Sequence, residues 1–172
     1  VLALVVAAAA CAEPMTGQER IALPPPDRTG SVALEALLDR RRSEREFAER
    51  PLELSRLAQV LWAGLGRNRP AGGRTVPSAG ALYPLDLYAV AGDVRDLAPG
   101  VYRYDPTSHT LLPMGPEDRR RELAGAALGQ TWIADAPVTL VVAAVYARST
   151  GKYGDRGVRY ARIEVGLVAQ NV

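Results

Sequence analysis

The sequence predicts an α+β domain in which a central mixed, antiparallel-containing sheet is flanked by helices. Three observations predict it. Val138 to Tyr146 is nearly all apolar and β-branched near its start, as in a strand buried on both faces. Val101-Tyr102-Arg103-Tyr104, the turn Asp105-Pro106-Thr107-Ser108 and Thr110-Leu111-Leu112 read as a hairpin. Segments with helical spacing are interspersed with these strands, which is the α+β pattern.

The elements follow in order. Residues 1–11 read as a partial signal or lipoprotein-type segment. Val1 to Ala10 are all apolar and are followed by Cys11 and a polar stretch. Ten residues span about 15 Å as a helix, short of a bilayer core of roughly 30 Å. The run fits the apolar region of a secretory signal that ends in small residues. Ala8-Ala9-Ala10-Cys11 is similar to the cleavage box of bacterial lipoproteins, although Ala8 stands where leucine is usual. The expectation is an exported protein, periplasmic or at the cell surface, with a possible lipid anchor at Cys11. If the segment is no signal, the chain is cytoplasmic. Residues 12–30 read as a tether stiffened by Pro24-Pro25-Pro26.

Residues 31–172 form the folded domain. Ser31 is a candidate N-cap for a helix that carries Leu34, Leu37 and Leu38 on one face and runs to about Arg41. A second helix starts at Ser55, with Leu57, Val60, Leu61, Gly64 and Leu65 at helical spacing, and ends at the glycines 64 and 66. Residues 67–81 read as a loop, and Leu85 to Val90 as an alternating strand. Asp118 to Leu128 suits a short helix. From about Arg156 a last helix carries Val158, Ala161, Val165, Val168 and Val172 as one stripe, with Ile163 and Leu167 off it. A helix apolar on most sides serves a core or an interface. With no breaking residue at Val172 and no initiator methionine, the expectation is a chain cut short at both ends.

Composition narrows the chemistry. Net charge is +2, and basic residues occur beside acidic ones, so nothing argues for nucleic acid. One cysteine excludes an internal disulfide, and one histidine, His109, excludes a site built from several histidine or cysteine metal ligands. Redox or electrophilic chemistry would need a borrowed reactive group.

Three segments carry candidate chemistry. Arg41-Arg42-Ser43 and the residues up to Phe47 offer forked cations and a hydroxyl suited to phosphate or an anionic ring edge. Arg74-Thr75-Val76-Pro77-Ser78-Ala79-Gly80-Ala81-Leu82-Tyr83-Pro84 places small residues between two prolines, so its backbone can approach a flat ligand. Lys152-Tyr153 are adjacent proton carriers after the buried strand, and Glu164 to Asn171 lie on the last helix. Taken alone, each has an ordinary explanation: a basic helix end, a loop entering a strand, a polar loop with a helix cap.

Together, the Pro-Ser-Ala-Gly-Ala-Leu-Tyr-Pro run, the Tyr-Arg-Tyr-Asp-Pro hairpin strand and the Glu-x-Gly-x-x-x-Gln-Asn helix resemble the nitroreductase superfamily. The likeness is greatest to its azoline-oxidase branch of SagB/ThcOx-type dehydrogenases and runs from about Leu23 to Val172. The resemblance implies a nitroreductase-like fold and a homodimer, joined through the C-terminal helix, with two FMN molecules at the subunit interface. By position, Arg41, Arg42 and Ser43 match a segment that contacts the flavin phosphate, ribityl chain and pyrimidine edge. Pro77, Ser78, Ala79 and Gly80 match the loop against the isoalloxazine. Gln170 and Asn171 match a segment near cofactor and interface. Lys152 and Tyr153 match a catalytic pair used by azoline-oxidising members. Ala81 stands where ordinary nitroreductases commonly place asparagine, which points away from that branch. The family continues past the Gln-Asn helix with residues that complete the phosphate site, so an incomplete C-terminal part is expected.

The resulting expectation is an FMN-dependent dehydrogenase or oxidase acting on a small or peptide-derived substrate. A quinone or nitroaromatic reductase is the nearby alternative. A flavin-fold ligand or peptide binder without turnover and a cofactor-free lipoprotein domain are the others.

Overall fold

A computed structural model describes residues 19–70 and 72–172, with the backbone of residues 7 and 8. Cys11 and most of the expected signal segment lie outside the described residues. The strands are β1 (Ala7–Ala8), β2 (Ile21–Ala22), β3 (Leu85–Ala91), β4 (Gly100–Asp105), β5 (Thr110–Gly115) and β6 (Val138–Ala144). The helices are α1 (Leu34–Arg40), α2 (Leu54–Leu65), α3 (Arg120–Ala126), α4 (Trp132–Asp135), α5 (Ala147–Tyr153) and α6 (Arg156–Asn171). The sheet order is β1-β6-β3-β4-β5-β2. β1 runs parallel to β6, and the other pairings between these strands are antiparallel. This is the mixed sheet flanked by helices that the sequence predicts.

The centre follows from side-chain period. β6 is buried along nearly its whole length and pairs with all of β3, as its unbroken apolar run requires. β4 alternates, with Gly100, Tyr102 and Tyr104 buried and Val101, Arg103 and Asp105 partly exposed. Pro113 in β5 cannot donate to the ladder; it faces Tyr102, next to a register shift between Val101 and Tyr102. Helices α2 and α6 pack on β3 and on each other, joining Leu57, Leu61, Leu87, Val165 and Val168 in one core. They meet at Gly64, where an added Cβ would lie 3.2 Å from Leu87 and 3.5 Å from Val168.

The structure differs from the sequence reading, or adds to it, at four places. The tether is not free throughout: β2 pairs with β5, Leu23 is buried, and its N–H donates to the His109 carbonyl. The His109 ring spans the same junction, bonding Tyr104 Oη through Nδ1 at 2.8 Å and the Pro24 carbonyl through Nε2 at 2.9 Å. Because a carbonyl only accepts, Nε2 carries a proton. Ser31 does not cap α1; Ala33 occupies that position in extended backbone without a side-chain cap. The leucine stripe of α1 faces outward, with Leu34, Leu37 and Leu38 at 65%, 53% and 52% exposure.

The fourth place is residues 147–153: α5 is found there, so the polar-loop explanation weighed for the Lys152 segment does not hold. Ala-Arg-Ser-Thr-Gly-Lys-Tyr has no apolar stripe, so periodicity gives no signal. The helix is fixed by packing. Gly157 lies so close to α5 that an added Cβ would stand 2.7 Å from the backbone of Ser149 and Thr150. Among the described residues, no helix is long and apolar enough to cross a membrane.

Candidate active site

The small-residue loop between Val76 and β3 is held in an unusual shape. Gly80, Ala81 and Tyr83 all have positive φ, at 62°, 55° and 46°. Only glycine adopts this region without steric cost. Hydrogen bonds hold the shape: Tyr83 N–H donates to Ser78 Oγ at 2.9 Å, and Ala81 N–H to the Ser78 carbonyl at 3.0 Å. Ser78 Oγ and Ala79 N–H donate in turn to one oxygen of Glu164 on α6, at 3.1 and 3.0 Å. Pro77 precedes this brace on the exposed surface.

The Lys152–Tyr153 pair ends α5 beside the loop. A Cβ placed on Gly80 would lie 2.6 Å from Tyr153 Oη and 3.0 Å from Lys152 Nζ. Tyr153 packs edge-to-face on Tyr160 of α6 at 5.2 Å, and Lys152 Nζ stands 5.4 Å from the Tyr153 ring centre. The structure thus brings the side chains of Lys152 and Tyr153 to the small-residue loop, although Lys152 and Gly80 are 72 residues apart in the chain.

Two further groups border this region. Arg74 stacks over Tyr83 at 4.4 Å from the ring centre, and burial pulls its pKa below the ordinary guanidinium value. Arg148, one helical turn before Lys152, grips Asp86 with two bonds of 2.8 and 3.0 Å. Arg74 opens the loop segment singled out in the sequence, whereas Arg148 gave no signal there, because its partner Asp86 lies 62 residues away.

Arg41, Arg42 and Ser43 line a different place: a groove of about 540 Å³ with Arg45, Arg56 and Gln170 beside them and Leu57, Val60, Trp132 and Leu140 as apolar wall. Arg42 pairs with Glu44, and the Arg45 guanidinium lies 5.8 Å from the Trp132 ring centre. Asn171 does not line this groove. It donates to the Ala63 carbonyl at 3.1 Å and the Thr75 carbonyl at 3.5 Å, tying the end of α6 to α2 and to the approach of the loop.

The candidate residues therefore fall into two groups. Gly80 meets Lys152 and Tyr153, with Ser78 and Ala79 tied to Glu164; residues 41–43 line one groove with Gln170. Pro77 to Gly80 do not line the groove of Arg41, so on one chain the arginine–serine segment and the proline-braced loop are not brought into one pocket. The reason lies in α6. Glu164 holds the loop, and Gln170 follows six residues later, about 9 Å along the axis and about a third of a turn around it.

Residues 38–172 match the model of the nitroreductase family. The chain belongs to the nitroreductase family. MJ1384 of Methanocaldococcus jannaschii, a nitroreductase by name, is 48% identical over 141 residues, 82% of this chain and 71% of that protein. A crystal structure from Ralstonia eutropha JMP134, also a nitroreductase by name, superposes with a TM-score of 0.76 at 34% identity, covering 95% of this chain and 74% of the other. The trifolitoxin operon protein TfxC of Rhizobium leguminosarum bv. trifolii is 26% identical over 167 residues; the match takes in 88% of this chain and 47% of TfxC. Membership of this family points to an oxidoreductase, and the mixed sheet with its flanking helices is the nitroreductase-like fold.

Proposed function

We propose that this nitroreductase-family protein is an FMN-dependent oxidoreductase that takes two electrons from a small or peptide-derived substrate. The observation that carries the reading is the meeting of Gly80 with Lys152 and Tyr153. It sets two proton-carrying side chains against a backbone bare enough for a flat ring to approach.

The residues present fit a flavin mononucleotide. The groove has the volume of a cofactor pocket, with cations and Ser43 for phosphate and pyrimidine edge and an apolar wall for the ring. When bound, the flavin supplies hydride acceptance, which no side chain of this histidine-poor chain can provide. Arg41 or Arg42 stabilises negative charge at the pyrimidine edge. Lys152 or Tyr153 takes the proton that leaves the substrate as its hydride departs. The 78–83 loop would hold Gly80 at the place where a bound ring meets these two side chains.

We further propose that two copies complete the site. The groove of Arg41 and the loop of Gly80 are separate on one chain, while Leu34, Leu37 and Leu38 of α1 and Ile163 of α6 present apolar surface. A homodimer that buries these faces would let the groove of one copy and the loop of its partner share a flavin.

The likeness to a trifolitoxin operon protein and the Lys152–Tyr153 geometry favour a peptide-derived substrate, for which an azoline-type ring is the proposed target; the likeness to MJ1384, a nitroreductase by name, favours the reductase alternative. One experiment separates them. The purified full-length protein is loaded with FMN and titrated anaerobically with an azoline-containing peptide or with NADH and NADPH. Bleaching of the flavin band by the peptide, lost in the Lys152→Ala/Tyr153→Phe double variant, is the expected result. Bleaching that survives in the double variant would remove those residues from catalysis. Bleaching by nicotinamide alone would favour the reductase.

A further inference from the structure

Glu164 is a buried carboxylate, 6% exposed, and among the described residues it forms no ion pair. A buried charge without a counter-ion is costly unless dipoles and hydrogen bonds replace the water it has lost. Here the replacements come from one place. The Ser78 hydroxyl and the Ala79 N–H both donate to the same carboxylate oxygen, across a separation of more than 80 residues. Ser78 Oγ also accepts the Tyr83 N–H. The result is a continuous chain from Tyr83 through Ser78 to Glu164, with Ala79 as a second branch.

That chain encloses the residues with left-handed backbone. Ala81 and Tyr83, neither of them glycine, hold φ of 55° and 46°. Such conformations persist only where surrounding contacts over-determine them. Besides the Tyr83–Ser78 bond, the loop's own bonds are Ala81 N–H to Ser78 and Leu82 N–H to Ala79, the latter long at 3.4 Å, and Arg148 of α5 donates to the Tyr83 carbonyl, also at 3.4 Å. Glu164 is thus the point at which the loop is fixed to the rigid body of α6, whose neighbours Ala161, Val165 and Val168 are buried in the core. Gly80, between the two braced ends, is the residue against which Lys152 and Tyr153 lie.

We infer that Glu164 is a positioning residue: its carboxylate holds Ser78 and Ala79, fixes the left-handed shape of residues 80–83, and so places Gly80 beneath Lys152 and Tyr153. The inference rests on the proposed function for the use of that geometry, but the bracing itself does not. It differs from a packing role because it needs an acceptor atom, not volume. Glutamine keeps an acceptor at the same place and leucine does not.

The test compares full-length wild type with Glu164→Gln, Glu164→Leu and Ser78→Ala. The first readout is amide hydrogen exchange at Ala79 and Tyr83 without flavin. Loss of one buried acceptor lowers protection at both amides by about ten-fold or more in Glu164→Leu, and Glu164→Gln restores most of it. Ser78→Ala, on the partly exposed loop, keeps the core intact if Glu164→Leu fails to fold; it lowers protection at Tyr83. The second readout is steady-state turnover of FMN-loaded protein, where Glu164→Leu and Ser78→Ala lower kcat more than they raise KM. Wild-type protection of both amides in Glu164→Leu, or of Tyr83 in Ser78→Ala, would overturn the inference. So would a Glu164→Gln variant as impaired as Glu164→Leu. Because exchange is measured without cofactor, failure of the wild type to take up flavin would count against the proposed function and leave the bracing to be judged by the amides.

Discussion

Gly80 and Tyr153 touch: a methyl group on the Gly80 α-carbon would stand 2.6 Å from the tyrosine oxygen. The glycine is required twice, once by its φ of 62° and once by this contact. The contacting atoms, Tyr153 Oη and Lys152 Nζ, are the free ends of long side chains and can yield. Gly80→Ala is therefore expected to fold with a stability loss of about 1–2 kcal/mol from the left-handed backbone. Displacement of Lys152 and Tyr153 should cost turnover well beyond that. Thermal denaturation beside kcat/KM checks this; an alanine variant with wild-type turnover would show that the contact is incidental.

The outward leucines of α1 make a second prediction. Leu37 is 53% exposed and α1 buries no residue, so Leu37→Glu should leave the stability of the isolated chain unchanged within about 0.5 kcal/mol. In the proposed homodimer the same charge would enter an apolar contact. Sedimentation velocity should then show a dimer for wild type and a monomer for the variant, with flavin uptake lost in parallel. Equal mass for both proteins would remove α1 from the interface.

The junction at residues 20–24 should respond to acid. Burial alone would raise the Asp105 carboxyl, but the Thr107 N–H, Arg20 and the Ser108 hydroxyl outweigh it and hold the group below its usual value. A depressed folded pKa gives stability that is present above the unfolded value, near 4, and lost as pH falls through the folded value. Arg20 is half exposed, so solvent screening limits the pair to about 1 kcal/mol or less. Asp105→Asn should lower the urea midpoint at pH 7, and the difference from wild type should shrink steadily below about pH 4. A difference that stays constant down to pH 3 would mean that the aspartate acts through shape and not through charge.

Much of the frame was legible in the sequence. β3, β4, β5 and β6 sit close to the runs with a two-residue period or unbroken apolar character. Helices α2 and α6 sit where leucine and valine recur at helical spacing, since both periods are properties of the backbone itself. α5 and β2 were not legible. One lacks an apolar stripe, and the other spans two residues that pair only because the hairpin presents an edge.

The site divides in the same way. Sequence alone determined its ingredients: small residues between prolines, an arginine–serine helix end, a lysine–tyrosine pair, and too little histidine and cysteine for a metal site built from several such ligands. Only the tertiary structure decided which ingredients meet. It set Lys152 and Tyr153 against Gly80, gave Ser78 to Glu164, and sent Gln170 and Asn171, neighbours in sequence, to different tasks. Neighbours on a helix point about 100° apart, so adjacency in the chain carries no promise of a shared partner. Contacts across 60 to 90 residues depend on how helices settle on the sheet, and no local period encodes that.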